Sequence, residues 1–268
     1  MTVGEVLRRA SGYLEERGVE NPRLDAELLL GKALGRSRLD LYLEHERPLN
    51  EAEVALCREL VARRGTREPL AYVLGEWGFR RLTLRVDERV LVPRPETEVV
   101  AGRALELLEG IDEPRVLDLG TGSGAIALAI ADEHSAARVT GVDRSPDALA
   151  LARENAERLG LSVELREGGA EVAEEGWDLV VSNPPYVAAD DLESLQPEVR
   201  REPVEALVDE GLHAEIARRA VTTWLVLEVG DGQAQRVARQ LENSGYEGIR
   251  ITKDLTGTDR VVEGRWSR

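Results

Sequence analysis

The apolar positions of this chain begin with a helical period, shift towards a strand period, and then alternate between the two. In residues 1–64, Val3, Val6, Leu7, Ala10 and Leu14 recur every three or four residues and stop at Gly18, which predicts an amphipathic helix with a glycine terminus. Asn21-Pro22 sets an N-cap before a proline at the first helical position, and Leu24, Leu28 and Leu29 carry that helix to Gly35. Ser37 caps a short third helix, and Asn50 with Glu53 has capping-box spacing ahead of Val54, Cys57, Leu60 and Val61. Short amphipathic helices of this kind form a bundle that packs on a neighbour or grips a partner. In residues 65–95 the period drops: Trp77, Phe79, Leu82, Leu84 and Val86 partly alternate with polar residues, which predicts a β-hairpin or extended connector. It ends in Val92-Pro93-Arg94-Pro95-Glu96-Thr97-Glu98, where two prolines stiffen the chain and Thr97 or the acid before it starts the next helix. The divisions expected are a helical domain over 1–74, a hairpin linker over 75–95 and a third region over 96–268.

From residue 115 the pattern becomes strand, turn, helix, and repeats. Strands are expected at 116–119, 138–142, 162–165, 177–181 and 224–229, helices at 125–131, 147–159 and 233–243, and a final strand pair at 249–252 and 260–263. Alternation of this kind specifies an α/β fold, a parallel sheet with helices on both faces.

Two stretches carry chemistry. Gly120-Thr121-Gly122-Ser123-Gly124 lies between a strand and a helix N-terminus, so bare backbone and helix N–H groups face whatever sits there. A phosphate-gripping loop needs Gly-Lys-Ser/Thr, which is absent. A dinucleotide fingerprint can be placed on Gly120, Gly122 and Ala125 with Asp143 on the next strand. S-adenosylmethionine is the third reading: Asp118 and the glycine turn would hold its amino-acid part, and Asp143 would accept from both ribose hydroxyls. The second stretch, Asn183-Pro184-Pro185-Tyr186, decides between them. It closes the apolar run 177–181 and therefore sits at a strand's carboxyl end, where open α/β sheets bind ligands. The Asn183 oxygen and the Pro184 carbonyl can each accept one N–H of a target –NH2 group, which fixes its plane for methyl transfer. Tyr186 can cover the planar group and favour a sulfonium charge.

Composition removes other classes. The single Cys57 excludes a disulfide framework or thiolate cluster, and His45, His134 and His213 are too scattered to ligate a metal. Helical spacing makes Cys57 a core residue. No secretory signal or membrane-length apolar run occurs, so a cytoplasmic protein is expected. Of the net charge of −16, residues 1–74 hold −1 (12 basic, 13 acidic) and the rest −15 (23 basic, 38 acidic), which opposes binding to a phosphate backbone.

Residues 116–124, 143–147, 181–186, 93–98 and 253–260 together resemble the HemK-type (PrmC) protein-glutamine methyltransferases, over essentially the whole chain. The resemblance implies a Rossmann-like class I S-adenosylmethionine-dependent methyltransferase with a small N-terminal helical domain. It also implies N5-methylation of the glutamine in the Gly-Gly-Gln motif of peptide chain release factors, which the N-terminal helices help to recognise. By position, Asp118, Gly120, Thr121, Gly122, Ser123, Gly124, Asp143 and Asn183 would bind the cofactor, and Asn183, Pro184, Pro185 and Tyr186 would hold the glutamine amide. The family carries an acid followed by an aromatic near the adenine; here Arg166-Glu167-Gly168-Gly169-Ala170 stands there, with Glu167 as the candidate replacement. The loop before Trp224 is short and lacks a Pro-Gly-Gly turn. An adenine-N6 methyltransferase on DNA or RNA uses the same Asn-Pro-Pro-Tyr chemistry but needs a basic surface, and a non-catalytic nucleotide-binding module has no need of both motifs.

Overall fold

The computed structural model describes residues 1–266, which divide into two compact units. The first holds residues 1–76 together with 195–201. Its helices are α1 (Val3–Glu15), α2 (Pro22–Leu34), α3 (Arg38–Leu43), α4 (Glu51–Gly65) and α5 (Leu70–Leu74). Capping boxes start three of them: Thr2 with Glu5, Ser37 with Asp40, and Asn50 with Glu53. Asn21 departs from expectation. It stands at the N-cap of α2 but makes no side-chain hydrogen bond, so Pro22 alone sets that start. Val3, Leu14, Leu29, Leu30 and Leu60 form the core, joined by Cys57, whose thiol burial pushes up to about 11. The late segment 195–201 is held here by charge: Glu198 accepts from Arg64 and Arg67, and Arg64 also donates to the buried Asp25 at 2.7 Å.

The second unit holds the sheet. The hairpin is shorter than expected, β1 (Glu76–Phe79) and β2 (Leu82–Arg85), since α5 takes the residues before it and coil follows. Then come α6 (Thr97–Leu107), β3 (Arg115–Leu119), α7 (Ala125–Glu133), β4 (Arg138–Asp143), α8 (Pro146–Leu159), β5 (Glu164–Glu167) and β6 (Trp177–Ser182). After short 3-10 turns between 189 and 206 the chain forms α9 (Leu212–Arg219), β7 (Thr222–Glu228), α10 (Ala234–Asn243), β8 (Tyr246–Lys253) and β9 (Asp259–Trp266). β5 lies two residues later than its apolar pattern indicated, and α9 had no expectation attached.

The seven strands run in the order β5-β4-β3-β6-β7-β9-β8. The sheet is not wholly parallel: β9 is antiparallel to both β7 and β8. The physical reason is the five-residue link 254–258, because parallel neighbours need a crossover of about a dozen residues or more. Alternate side chains feed two cores. Val116, Val181 and Val226 face α6 and α7, whereas Leu117, Val180 and Leu225 face α9 and α10.

One buried side chain ties the hairpin to the sheet. Asn155 of α8, 0% exposed, accepts from the Arg85 N–H at 2.7 Å and donates to the carbonyls of Arg85 and Ser123 at 3.1 and 2.9 Å. Asn155→Ala leaves those three backbone groups unmatched in the interior, so unfolding free energy is expected to fall by about 2–5 kcal/mol. Urea unfolding checks this; a loss below that range means water or neighbours re-satisfy the groups.

Candidate active site

The middle of the sheet places the site. β3 pairs with β4 on one side and β6 on the other, Leu119 standing in register with both Val142 and Ser182. The chain leaves β3 for β4 and β5, then returns to β6 and β7. Connections on either side of β3 therefore diverge, and a crevice opens at the carboxyl ends. The turn after β3 fits this crevice because Gly120, Gly122 and Gly124 adopt φ of 75°, 54° and 84°, a region open mainly to glycine. The N–H groups of Gly120 and Thr121 donate to the Val142 carbonyl at 2.8 and 2.9 Å. Gly122 donates to Asp143 Oδ2 at 2.9 Å, and Ser145 N–H donates to its Oδ1, also at 2.9 Å. Asp143 thus has both oxygens anchored by backbone donors while still facing the cavity. Burial, its largest influence, raises its pKa despite those bonds.

Asp118 differs from the expectation of a cofactor contact. It is 1% exposed and lies behind the turn, accepting from the Thr121 hydroxyl at 2.6 Å and the Ala127 N–H at 3.1 Å, with Oδ1 unpartnered. Gly141 leaves room for this brace, since a Cβ there would lie 2.9 Å from Thr121 Oγ1. The crevice encloses about 320 Å³, within the range of small-ligand sites. Gly120, Gly122, Asp143, Asn183 and Pro185 reach its wall; Asp118, Thr121, Ser123, Gly124, Pro184 and Tyr186 do not line it. On the side expected for adenine, Gly168, Gly169 and Ala170 line the wall, and Glu167 is exposed and off it. The side-chain replacement expected there is absent. A glycine-lined wall with one anchored carboxylate fits the ribose and amino-acid portions of S-adenosylmethionine.

The Asn183–Tyr186 stretch is gripped at several points. Ser182 Oγ donates to the Leu119 carbonyl at 2.6 Å, and both prolyl bonds are trans. Asn183 Nδ2 donates to Thr97 Oγ1 at 3.2 Å, so the amide oxygen is left as acceptor. Gln233 Nε2 donates to the Tyr186 carbonyl at 2.8 Å. The Tyr186 ring packs on Gly230, where a Cβ would come within 2.9 Å of Cδ2. Burial pushes its phenol up to about 12, so it stays protonated.

Sequence reasoning left out several supporting residues. Arg94 needed no role beyond a loop, yet it pairs with Glu202, whose other oxygen accepts from the Val92 N–H at 2.9 Å. Glu202 leads into Pro203, Glu205, Ala206 and Val208 on the cavity wall. Asp254 is drawn down to about 2, chiefly by the Thr256 hydroxyl, and holds Arg260, which donates to the Val229 carbonyl beyond β7. The motifs at 93–98 and 253–260 were the available signal. They showed that these residues belong together, not what they touch.

Two buried acids make a pH prediction. Burial pushes Asp118 and Glu228 each up to about 7 from ordinary values of 3.8 and 4.5. The unfolded chain releases these protons near pH 4 and the folded chain keeps them until about pH 7, so their stabilising contribution is complete at the acid end and is lost across that window. Relative to wild type, Asp118→Asn is expected to gain roughly 5–10 °C in unfolding temperature between about pH 4 and pH 8. Parallel curves for the two proteins count against it.

Glycine turn, anchored Asp143, Asn-Pro-Pro-Tyr loop and a sheet whose β9 alone is reversed define a class I S-adenosylmethionine-dependent methyltransferase. At the level of fold, the hMettl16 catalytic domain solved with a MAT2A 3'UTR hairpin superposes with a TM-score of 0.57 at 16% identity, over 78% of this chain and 83% of that one. The T. thermophilus 16S rRNA methyltransferase RsmC, solved with AdoMet and guanosine, gives 0.54 at 18% identity over 72% of this chain and 50% of that one. Residues 5–75 match the PrmC N-terminal domain and residues 101–242 the methyltransferase small domain. The release factor glutamine methyltransferase of Geobacter sulfurreducens is 44% identical over 98% of this chain and 96% of its own length. That of Deinococcus radiodurans is 40% identical over 99% of both. The chain belongs to the release factor glutamine methyltransferase family. Among the described residues, no helix is long and apolar enough to cross a membrane.

Proposed function

We propose that this protein transfers the methyl group of S-adenosylmethionine to the N5 amide nitrogen of the Gly-Gly-Gln glutamine in peptide chain release factors. The observation that carries the reading is the Asn183 side chain: its Nδ2 is engaged by Thr97, and its oxygen is the free acceptor at the end of β6. The near-full-length relatives named for this activity support the same substrate. Gly120, Gly122 and Asp143 hold the cofactor, which when bound supplies an electrophilic methyl on a sulfonium. Asn183 Oδ1 and the Pro184 carbonyl accept the two amide N–H groups of the glutamine. Accepting both raises electron density on a nitrogen whose lone pair is otherwise delocalised, and it fixes the plane for attack. The surplus proton of the methylated amide passes to solvent, so no side-chain base is assigned. A protein substrate accords with the net −15 beyond residue 74, which repels nucleic acid phosphates.

The test incubates the protein with labelled S-adenosylmethionine and a bacterial release factor, followed by peptide mass spectrometry. A single methyl on the Gly-Gly-Gln glutamine, lost when that glutamine is replaced, is the expected result. Cofactor binding without transfer to that glutamine overturns the reading.

A further inference from the structure

An asparagine amide has nearly the same shape after a half-turn about its last torsion, but its donor and acceptor exchange places. For Asn183 the difference is decisive. With Oδ1 towards the target it accepts an N–H; with Nδ2 there it presents hydrogens to hydrogens. Something in the fold must choose.

Thr97 is the first residue of α6, 4% exposed, and its Oγ1 accepts from Asn183 Nδ2 at 3.2 Å. That bond alone does not choose, because a hydroxyl with a free hydrogen could equally donate to a flipped Oδ1. The choice requires that the Thr97 hydrogen be engaged elsewhere. Glu228, at the carboxyl end of β7, is 0% exposed, and the Thr97 hydroxyl is the side-chain hydrogen-bond donor that faces its carboxylate. An ionised carboxylate only accepts. It draws the Thr97 O–H towards itself and leaves only hydroxyl lone pairs for Asn183. Burial raises its pKa to about 7 while Thr97 and Arg260 oppose the rise, so the carboxylate form, and with it the choice of amide orientation, takes hold above about pH 7.

The structural roles open to these residues do not account for them. Thr97 lies inside α6; the cap position belongs to Glu96, which makes no side-chain capping bond. A carboxyl buried as completely as Glu228 weakens a fold. We infer that Thr97 and Glu228 are positioning residues that hold the Asn183 amide with its oxygen towards the substrate. The inference rests on the proposed function for its activity readout only.

The experiment uses the full-length protein and four forms: wild type, Thr97→Val, Thr97→Ser and Glu228→Leu. Steady-state methylation of a release factor, cofactor binding by calorimetry and thermal unfolding are measured on each, together with hydrogen-exchange protection of the Asn183 side-chain NH2 by NMR. Thr97→Val is expected to lower kcat about 10- to 100-fold with cofactor Kd changed less than about threefold, as for a misplaced reacting group. It should also lose NH2 protection. Thr97→Ser keeps the hydroxyl and restores kcat and protection. Glu228→Leu lowers kcat yet raises the unfolding temperature, a split that a structural role does not produce. Wild-type kcat and retained protection in Thr97→Val overturn the inference, as does joint loss of rate and stability in Glu228→Leu. If wild type does not methylate the glutamine, the proposed function fails, and the NH2 protection of the Thr97 variants still decides the amide orientation.

Discussion

Asn183→Ala enzyme is expected to transfer methyl groups to the release factor about 100- to 1000-fold more slowly than wild type, the range seen when one preorganised hydrogen-bonding group is removed at a reacting centre. The substitution deletes the acceptor oxygen and its link to Thr97 while leaving Ser182, both prolines and the Gln233 bond to Tyr186 in place. The loop therefore stays, and the loss falls on kcat. Because Asn183 also reaches the cavity wall, cofactor Kd is expected to rise, but by no more than about threefold, one modest contact's worth. Asn183→Asp is informative beside it: it keeps an acceptor but has no Nδ2 hydrogens to give Thr97, so it should fall between alanine and wild type. Single-turnover rates at saturating cofactor separate chemistry from binding. A full rate in Asn183→Ala would move the acceptor role to backbone carbonyls alone.

Asp143→Ala should fail at an earlier step. Both of its oxygens are anchored, by Gly122 and Ser145, so the carboxylate arrives preoriented at the cavity with lone pairs to spare for two ribose hydroxyls. Hydrogen bonds to a charged group contribute about 1.5–3 kcal/mol each, so losing two weakens cofactor binding by roughly 100-fold or more. The Gly122 N–H also loses its partner, which loosens the turn and adds to the effect. Isothermal titration with S-adenosylmethionine, and with its demethylated product, reads the loss directly. Near-normal Kd would mean that the glycine backbone carries recognition and that Asp143 serves only to brace the loop. Asp118→Ala offers the contrast. Asp118 braces without facing the cavity, so its loss should lower stability more than affinity.

Much of this was legible in the chain. Ser37 as a cap and Asn50 with Glu53 as a capping box act within one helical turn, and the structure shows both, adding Asp40 as the partner that completes a box at Ser37. The glycine turn, the strand ending in Asp143 and the strand ending before Asn183 could be read because strand period and turn chemistry are local properties. Misreadings came where distance entered. The final strand pair at 249–252 and 260–263 was expected within a parallel sheet, but a five-residue link forced β9 to run backwards. Glu167 resembled an adenine contact by position, yet its side chain points to solvent and glycine backbone takes the wall.

The sequence by itself determined where most helices and strands lie, which turns demand glycine, and which short stretches carry methyl-transfer chemistry. Each of these depends on residues within a few positions of one another. Only the tertiary structure decided which acid faces the cavity and which braces it, that Arg94 holds Glu202 108 positions away, and that Thr97 meets Asn183 across 86. It also decided that residues 195–201, following the catalytic loop, belong with the helical unit through Glu198. Such pairings leave no periodic trace. They are settled when apolar faces close and each buried charge or amide must find its partner in whatever has been brought beside it.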